Sequence, residues 1–219
     1  MVDACLSPTT GGETPQHFVY SSVLHTQLRK LMNHDSKRYV EEYLIESKLP
    51  WTILSPTKFM EQFPVPLLFQ QHQKGEQPVY QALSNPDLPQ SSIGLQDLGE
   101  AFAKVVEERE KHFYAQYPLC STLPIAMTKV VSIFEQQLGT KIKVENLPRE
   151  QADEKLLTAI YGDAKRAPLG SREQASRMLM HYEDRGLQGS PNVLRWLLGR
   201  EPVQYEEWLK TQVGKVQGK

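Results

Sequence analysis

Two serines and a lysine carry the most chemical interest in this chain. Ser21 and Ser22 close the short apolar run His17 to Ser22, and Lys37 stands in the first turn of the helical segment that follows. In open α/β sheets ligands bind beyond the carboxyl ends of the strands, so a serine there can hold a substrate carbonyl; it can equally close a turn. A lysine near a helix N-terminus opposes the helix dipole by ~0.3–1 kcal/mol. Such a local mismatch marks either a functional residue or a surface side chain that leans away. His34, Asp35 and Ser36 carry hydrolase residue types, but three consecutive residues cannot converge as nucleophile, base and orienter. Asp35 or Ser36 is better read as a helix cap. The histidines (His17, His25, His34, His72, His112 and His181) show no metal-ligand spacing, so no metal is assigned. Phe59, Met60 and Phe63, with Trp51, could line an apolar pocket or simply fill a core. Gly11-Gly12 follows no strand and opens no helix, so it is not a phosphate loop.

The elements that must position these residues follow from periodicity. His17 to Ser22 reads as a buried strand. Residues 36–47 read as a helix, with Val40, Tyr43 and Leu44 on its inner face and Glu41, Glu42 and Glu46 outside. Pro50 stops it, and Trp51 to Leu54 is the next strand. A strand, a helix and a strand with such short links predict a right-handed βαβ unit with two adjacent parallel strands. This is the second half of a dinucleotide-binding unit, and no G-x-G-x-x-G lies upstream of it. Further on, the sequence predicts a loop-helix over 57–71, a short strand at Val79 to Ala82, and a helix capped by Asp97 with Glu100 as its capping-box partner. A strand over His112 to Leu119, a helix over Pro124 to Leu138 ended by Gly139, and a strand at Lys141 to Val144 come next. Helices fill the rest, including Asn192 to Leu198, stopped by Gly199, and Pro202 to Val213, anchored by Tyr205 and Trp208. The expected fold is α/β: a partial Rossmann-like parallel sheet with helices and a mostly helical C-terminal lobe.

Composition excludes several classes. The 219 residues are 39% hydrophobic and 23% charged with a net charge of −1, which gives no support to nucleic-acid binding. No apolar run approaches the ~18 residues that a membrane span requires, so no membrane is expected. Two cysteines, Cys5 and Cys120, form no disulfide pattern, which favours a reducing, cytoplasmic setting with the nucleus as an alternative. Residues 1–16, rich in Thr, Gly, Ser and Pro, read as a disordered leader without a secretory signal. Residues 17–212 read as one domain, divided into 17–120 and a C-terminal substrate or partner lobe at 121–212, with 213–219 as a tail.

Five segments in order resemble the NmrA-like family, atypical members of the short-chain dehydrogenase/reductase superfamily. They are His17 to Ser22; Ser36-Lys37 with Val40 to Leu44; Leu49 to Pro56 with Phe59-Met60-Glu61; Gln96 to Ala101; and Leu198 to Pro202 with Glu206 to Trp208. The resemblance implies a Rossmann domain and an NAD(P)-dependent oxidoreductase-like protein of a biosynthetic pathway. The alternative is a non-catalytic dinucleotide or redox sensor, or a partner of a transcription regulator. It gives Lys37 the nicotinamide ribose and the proton-transfer step, and Ser21 or Ser22 the substrate carbonyl. It adds Pro56 and Thr57 to the cofactor contacts, and Phe59, Met60 and Phe63 to the substrate pocket. NADP or NAD is the implied cofactor, and a small molecule or a regulatory protein the implied partner. Two departures qualify this. The superfamily's tyrosine, four residues before the lysine, is Asn33 here. The family's earlier strands and glycine-rich turn are also absent from the sequence, which implies weak or absent cofactor binding. An uncovered sheet would leave Val19 and Ile53 near an exposed edge or face and favour self-association.

Overall fold

The computed structural model describes residues 2–6 and 16–218. The expected βαβ unit is present. Strand β1 (Phe18–Ser21) runs parallel to β2 (Trp51–Pro56), with Tyr20 opposite Ile53 and Ser21 opposite Leu54, and helix α2 (Asp35–Glu46) connects them. A third parallel strand, β6 (Ala115–Leu119), lies on the other side of β2 and gives the order β1-β2-β6. β6 is shorter than predicted because residues 109–112 form a 3-10 turn.

The alternation of β2 side chains explains how both faces are covered. Trp51 and Ile53 pack with Leu44 of α2, Leu49 and Val2. Leu54 points the other way, into a cluster with Leu98, Ala101 and Val105 of α4 (Leu95–Glu108) and Leu194 and Leu197 of α8 (Asn192–Leu198). Ile53 is therefore fully buried, not on an open face as expected. Val2 belongs to α1 (Val2–Leu6), a short helix within the stretch expected to be a disordered leader; burying Val2 against the sheet gives it a reason to form. The rest of that leader, 7–15, lies outside the described residues.

Two small parallel pairs join the sheet to the second part of the chain. β3 (Lys58–Phe59) pairs with β5 (Ser92–Ile93), and β4 (Val79–Ala82), at the predicted position, pairs with β7 (Lys143–Asn146). Around them, α3 (Val65–Gln73), α5 (Met127–Leu138) and α9 (Tyr205–Val216) enclose a core of Phe63, Leu68, Tyr80, Phe134, Tyr205 and Trp208. Gly139 and Gly199 end α5 and α8 at φ near +70°, a conformation open to glycine, as the sequence indicated. Helices α6 (Arg149–Tyr161) and α7 (Ser171–Arg185) pack together, and α7 reaches back onto residues 32–34. No described helix is long and apolar enough to cross a membrane.

Among the described residues β1 pairs on one side only. Its residues Phe18, Val19 and Tyr20 are half-buried and Ser21 is exposed. An unpaired parallel edge is a template for further pairing. The 219-residue polypeptide is therefore expected to self-associate as its concentration rises. Sedimentation velocity checks this; a species that stays monomeric at every concentration and binds no hydrophobic dye contradicts it.

Candidate functional site

The carboxyl end of β1 meets the first turn of α2. Lys37 leans back toward the helix N-terminus, as helical side chains do, and its Nζ donates to the Ser21 carbonyl at 2.8 Å. The same ammonium lies 5.1 Å from the centre of the Tyr20 ring. The carbonyl and the ring offset the unfavourable dipole position of Lys37. The structure thus joins Ser21 and Lys37, and Ser21 stays exposed beside them.

Ser22 is differently engaged. It is buried, and its hydroxyl donates to Glu41 Oε1. Thr26 donates to the other carboxylate oxygen of Glu41 at 2.8 Å. Glu41 was expected to face solvent and is instead 8% exposed, while Tyr43, expected inside, is exposed. The buried line of this segment runs through His34, Glu41 and Leu44. The β1–α2 connection folds over Glu41 and satisfies it with two hydroxyls. That connection is pinned by Ser22 N to Leu54 O at 2.8 Å, Leu24 N to Pro56 O at 2.9 Å, and the contact of His25 Nε2 with Gln188 O at 2.7 Å. Neither Asp35 nor Ser36 caps α2 with its side chain; a 3-10 turn over residues 32–34 runs directly into the helix.

The remaining expected residues form no single pocket. The Pro56 carbonyl receives Leu24 N, and the buried Thr57 hydroxyl donates to Ser91 O at 3.0 Å, so both serve the strand end. Met60 and Phe63 are core, Phe63 stacking on Tyr80 at 5.4 Å. Phe59 packs into the separate cluster under α4. Asn33, at the position of the superfamily's tyrosine, donates to Met178 Sδ at 3.0 Å and so faces α7. Among the described residues no three His, Cys, Asp or Glu side chains gather as a metal would require.

Sequence reasoning also missed a buried node behind this edge. Asp97, taken for the cap of α4, lies inside its first turn and is 1% exposed. Its carboxylate accepts from Ser121 Oγ at 2.8 Å, Arg200 Nη2 at 2.9 Å and Val203 N at 2.8 Å. The helix start is satisfied from outside: Glu61 Oε1 accepts Leu95 N at 3.1 Å, and Ser121 Oγ accepts Gly94 N at 3.2 Å. Carboxylates here suit the helix dipole.

His34, 2% exposed, sits under the β1–α2 connection. Burial lowers its pKa most; the His25 carbonyl then opposes this, the His25 and His181 imidazoles lower it further, and Asp35 raises it. The folded state therefore favours neutral imidazole. The unfolded chain takes up the proton more readily as pH falls below the ordinary 6.5, so stability is full above that value and is lost below it. The urea midpoint is expected to drop across this range, and to drop less in His34→Gln. Equal drops in both proteins contradict the assignment.

A three-stranded parallel sheet built around a βαβ unit, with helices on both faces, is a Rossmann-like α/β fold. Residues 11–209 match the NmrA-like family, and the chain belongs to it. No curated protein matches the chain in sequence. Among solved structures it is similar to an NADPH-dependent quinone oxidoreductase from Escherichia coli, with TM-score 0.73 and 19% identity over 97% of this chain and 72% of that one. It is also similar to a triphenylmethane reductase from Citrobacter sp. complexed with NADP(H), at TM-score 0.67 and 15% identity over 96% and 69% of the two chains. The negative transcriptional regulator NmrA in complex with NAD gives TM-score 0.67 and 17% identity over 100% and 71%. At such low identity these TM-scores show a shared fold and nothing more.

Proposed function

We propose that this chain carries the nicotinamide-ribose side of an NAD(P) site on an oxidoreductase-like scaffold, and that it binds the nucleotide without turning it over. The observation that carries this is the arrangement around Lys37. Its ammonium sits at the strand end, held on the Ser21 carbonyl, where a ribose hydroxyl could replace that acceptor. Two of the positions expected to act on a substrate are engaged elsewhere: the Ser22 hydroxyl on Glu41, and Asn33, in place of a phenol, on Met178. General acid–base chemistry needs a titrating group within hydrogen-bond reach of the substrate, and none of these is free to serve. The similarity to a regulator solved with NAD supports binding without catalysis. The C-terminal lobe, residues 121–212, is then the part that would pass the nucleotide state to a regulatory partner.

Reduced nicotinamide mononucleotide is the direct probe. It should perturb the amide resonances of Ser21, Ser22 and Lys37, and Lys37→Ala should abolish the effect. NADPH oxidation with quinone or aldehyde acceptors should stay at the rate of buffer alone. Turnover lost in Lys37→Ala would overturn the non-catalytic reading.

A further inference from the structure

A cavity of about 900 Å³ lies in the C-terminal lobe, lined from β4, α6 and the first turn of α7. That volume is of the size that takes small molecules. Leu147 and Ala159 give it an apolar wall. Both of its cations are engaged: Arg172 Nη2 donates to Glu154 Oε2 at 2.7 Å, and Lys155 Nζ to Gln81 Oε1 at 2.8 Å. Two lining carboxylates remain, Glu150 and Asp153. Glu150 is exposed in the first turn of α6, where the helix dipole favours an acid, so its place requires no ligand.

Asp153 has no such explanation. It is 5% exposed, and its Oδ1 is wholly buried without a hydrogen-bond partner among the described residues. Arg149, one turn earlier on α6, turns to Glu183 at 4.0 Å and leaves Asp153 unpaired. The carboxylates converge on this cavity: the hydrogen bond from Glu154 raises the Arg172 pKa most, and the charges of Asp153 and Glu150 add to it against desolvation. A carboxylate buried without a donor is costly, and such a group calls for a partner from outside the fold. No three His, Cys, Asp or Glu side chains gather among the described residues as a metal ion would need. We propose that this cavity binds an organic cation, a primary ammonium or guanidinium on a partly apolar body, with Asp153 as its charged partner and Leu147 and Ala159 against the apolar part. None of these residues belongs to the Lys37 edge, so the proposal stands apart from the nucleotide reading.

Phenethylamine is the probe, set against 2-phenylethanol, which has the same shape without the charge, and phenylacetate, which has the opposite charge. In nitrogen-15 NMR titrations of the 219-residue polypeptide, phenethylamine should shift the amides of residues 150–159 saturably, and the other two should not. Asp153→Asn keeps the shape and removes the charge. It should weaken phenethylamine binding by about tenfold or more, as the loss of a charge-assisted hydrogen bond does. Its urea midpoint should equal or exceed that of the unchanged protein, because no partner within the fold is lost. No saturable shift with phenethylamine, equal shifts from the alcohol, or equal affinity in Asp153→Asn would overturn the proposal. So would a fall in the urea midpoint of Asp153→Asn, which would show that the carboxylate serves the fold instead.

Discussion

Asp97→Ala should lower the folding stability of this protein by about 3–5 kcal/mol, the loss expected when one partner of a buried charged network is removed. Asp97 is 1% exposed and accepts three hydrogen bonds, from Ser121, Arg200 and the Val203 backbone. Removing the carboxylate leaves the Val203 N–H and one role of the Ser121 hydroxyl unsatisfied, and hydrogen bonds to ionised groups contribute roughly 1.5–3 kcal/mol each. It also releases the segment before α9, whose Tyr205 and Trp208 help close the second core. Glu100 provides the control: it binds the same arginine from a side chain 45% exposed, so Glu100→Ala should change stability by less than about 1 kcal/mol. Urea unfolding of both variants decides the matter. An Asp97→Ala midpoint close to that of Glu100→Ala would remove Asp97 from its central place in the fold.

The second large effect concerns the cofactor. In a Rossmann unit the pyrophosphate lies on backbone N–H groups at a helix N-terminus that follows a glycine-rich turn. Among the described residues no strand, glycine-rich turn and helix of this kind occurs. The N-terminus of α2 is occupied by Lys37 folded onto Ser21. Charge-assisted contacts of the pyrophosphate are worth roughly 1.5–3 kcal/mol each. Missing two or three of them removes roughly 3–9 kcal/mol, enough to move a micromolar dissociation constant to millimolar or beyond. NADPH is therefore expected to bind this polypeptide very weakly.

Much of the nucleotide side of the fold was legible because its signals are local. The apolar run ended by the serines marked β1, the one that follows Pro50 marked β2, and the βαβ rule then fixed their parallel pairing. Gly199 stopped α8 where the structure ends it. What sequence could not show depends on distant partners. Asp97 looked like a cap because its true partners, Arg200 and Val203, lie 103 and 106 residues away. The start of α4 at Leu95 is satisfied by Glu61, which no local pattern connects to it. Glu41 was misplaced because the apolar residues Val40 and Tyr43 were taken to define the inner face. The spacing of His34, Glu41 and Leu44 along one face was readable and held the better answer. Met60 and Phe63 went into the core because β4 and α5 supply Tyr80 and Phe134 as neighbours. That packing is set by tertiary structure, which a stripe of apolar residues does not reveal.

In the function proposed above, Lys37 and the end of β1 form a nicotinamide-side half-site without a pyrophosphate cradle. Parallel titrations of NADPH and reduced nicotinamide mononucleotide into the 219-residue polypeptide test it most directly. The account predicts that the two ligands bind with similar, weak affinity, that adenosine 2′,5′-bisphosphate displaces neither, and that Lys37→Ala loses both. Micromolar binding of NADPH, far tighter than the mononucleotide and displaced by the bisphosphate, would show a phosphate site built elsewhere in the chain and would contradict the account.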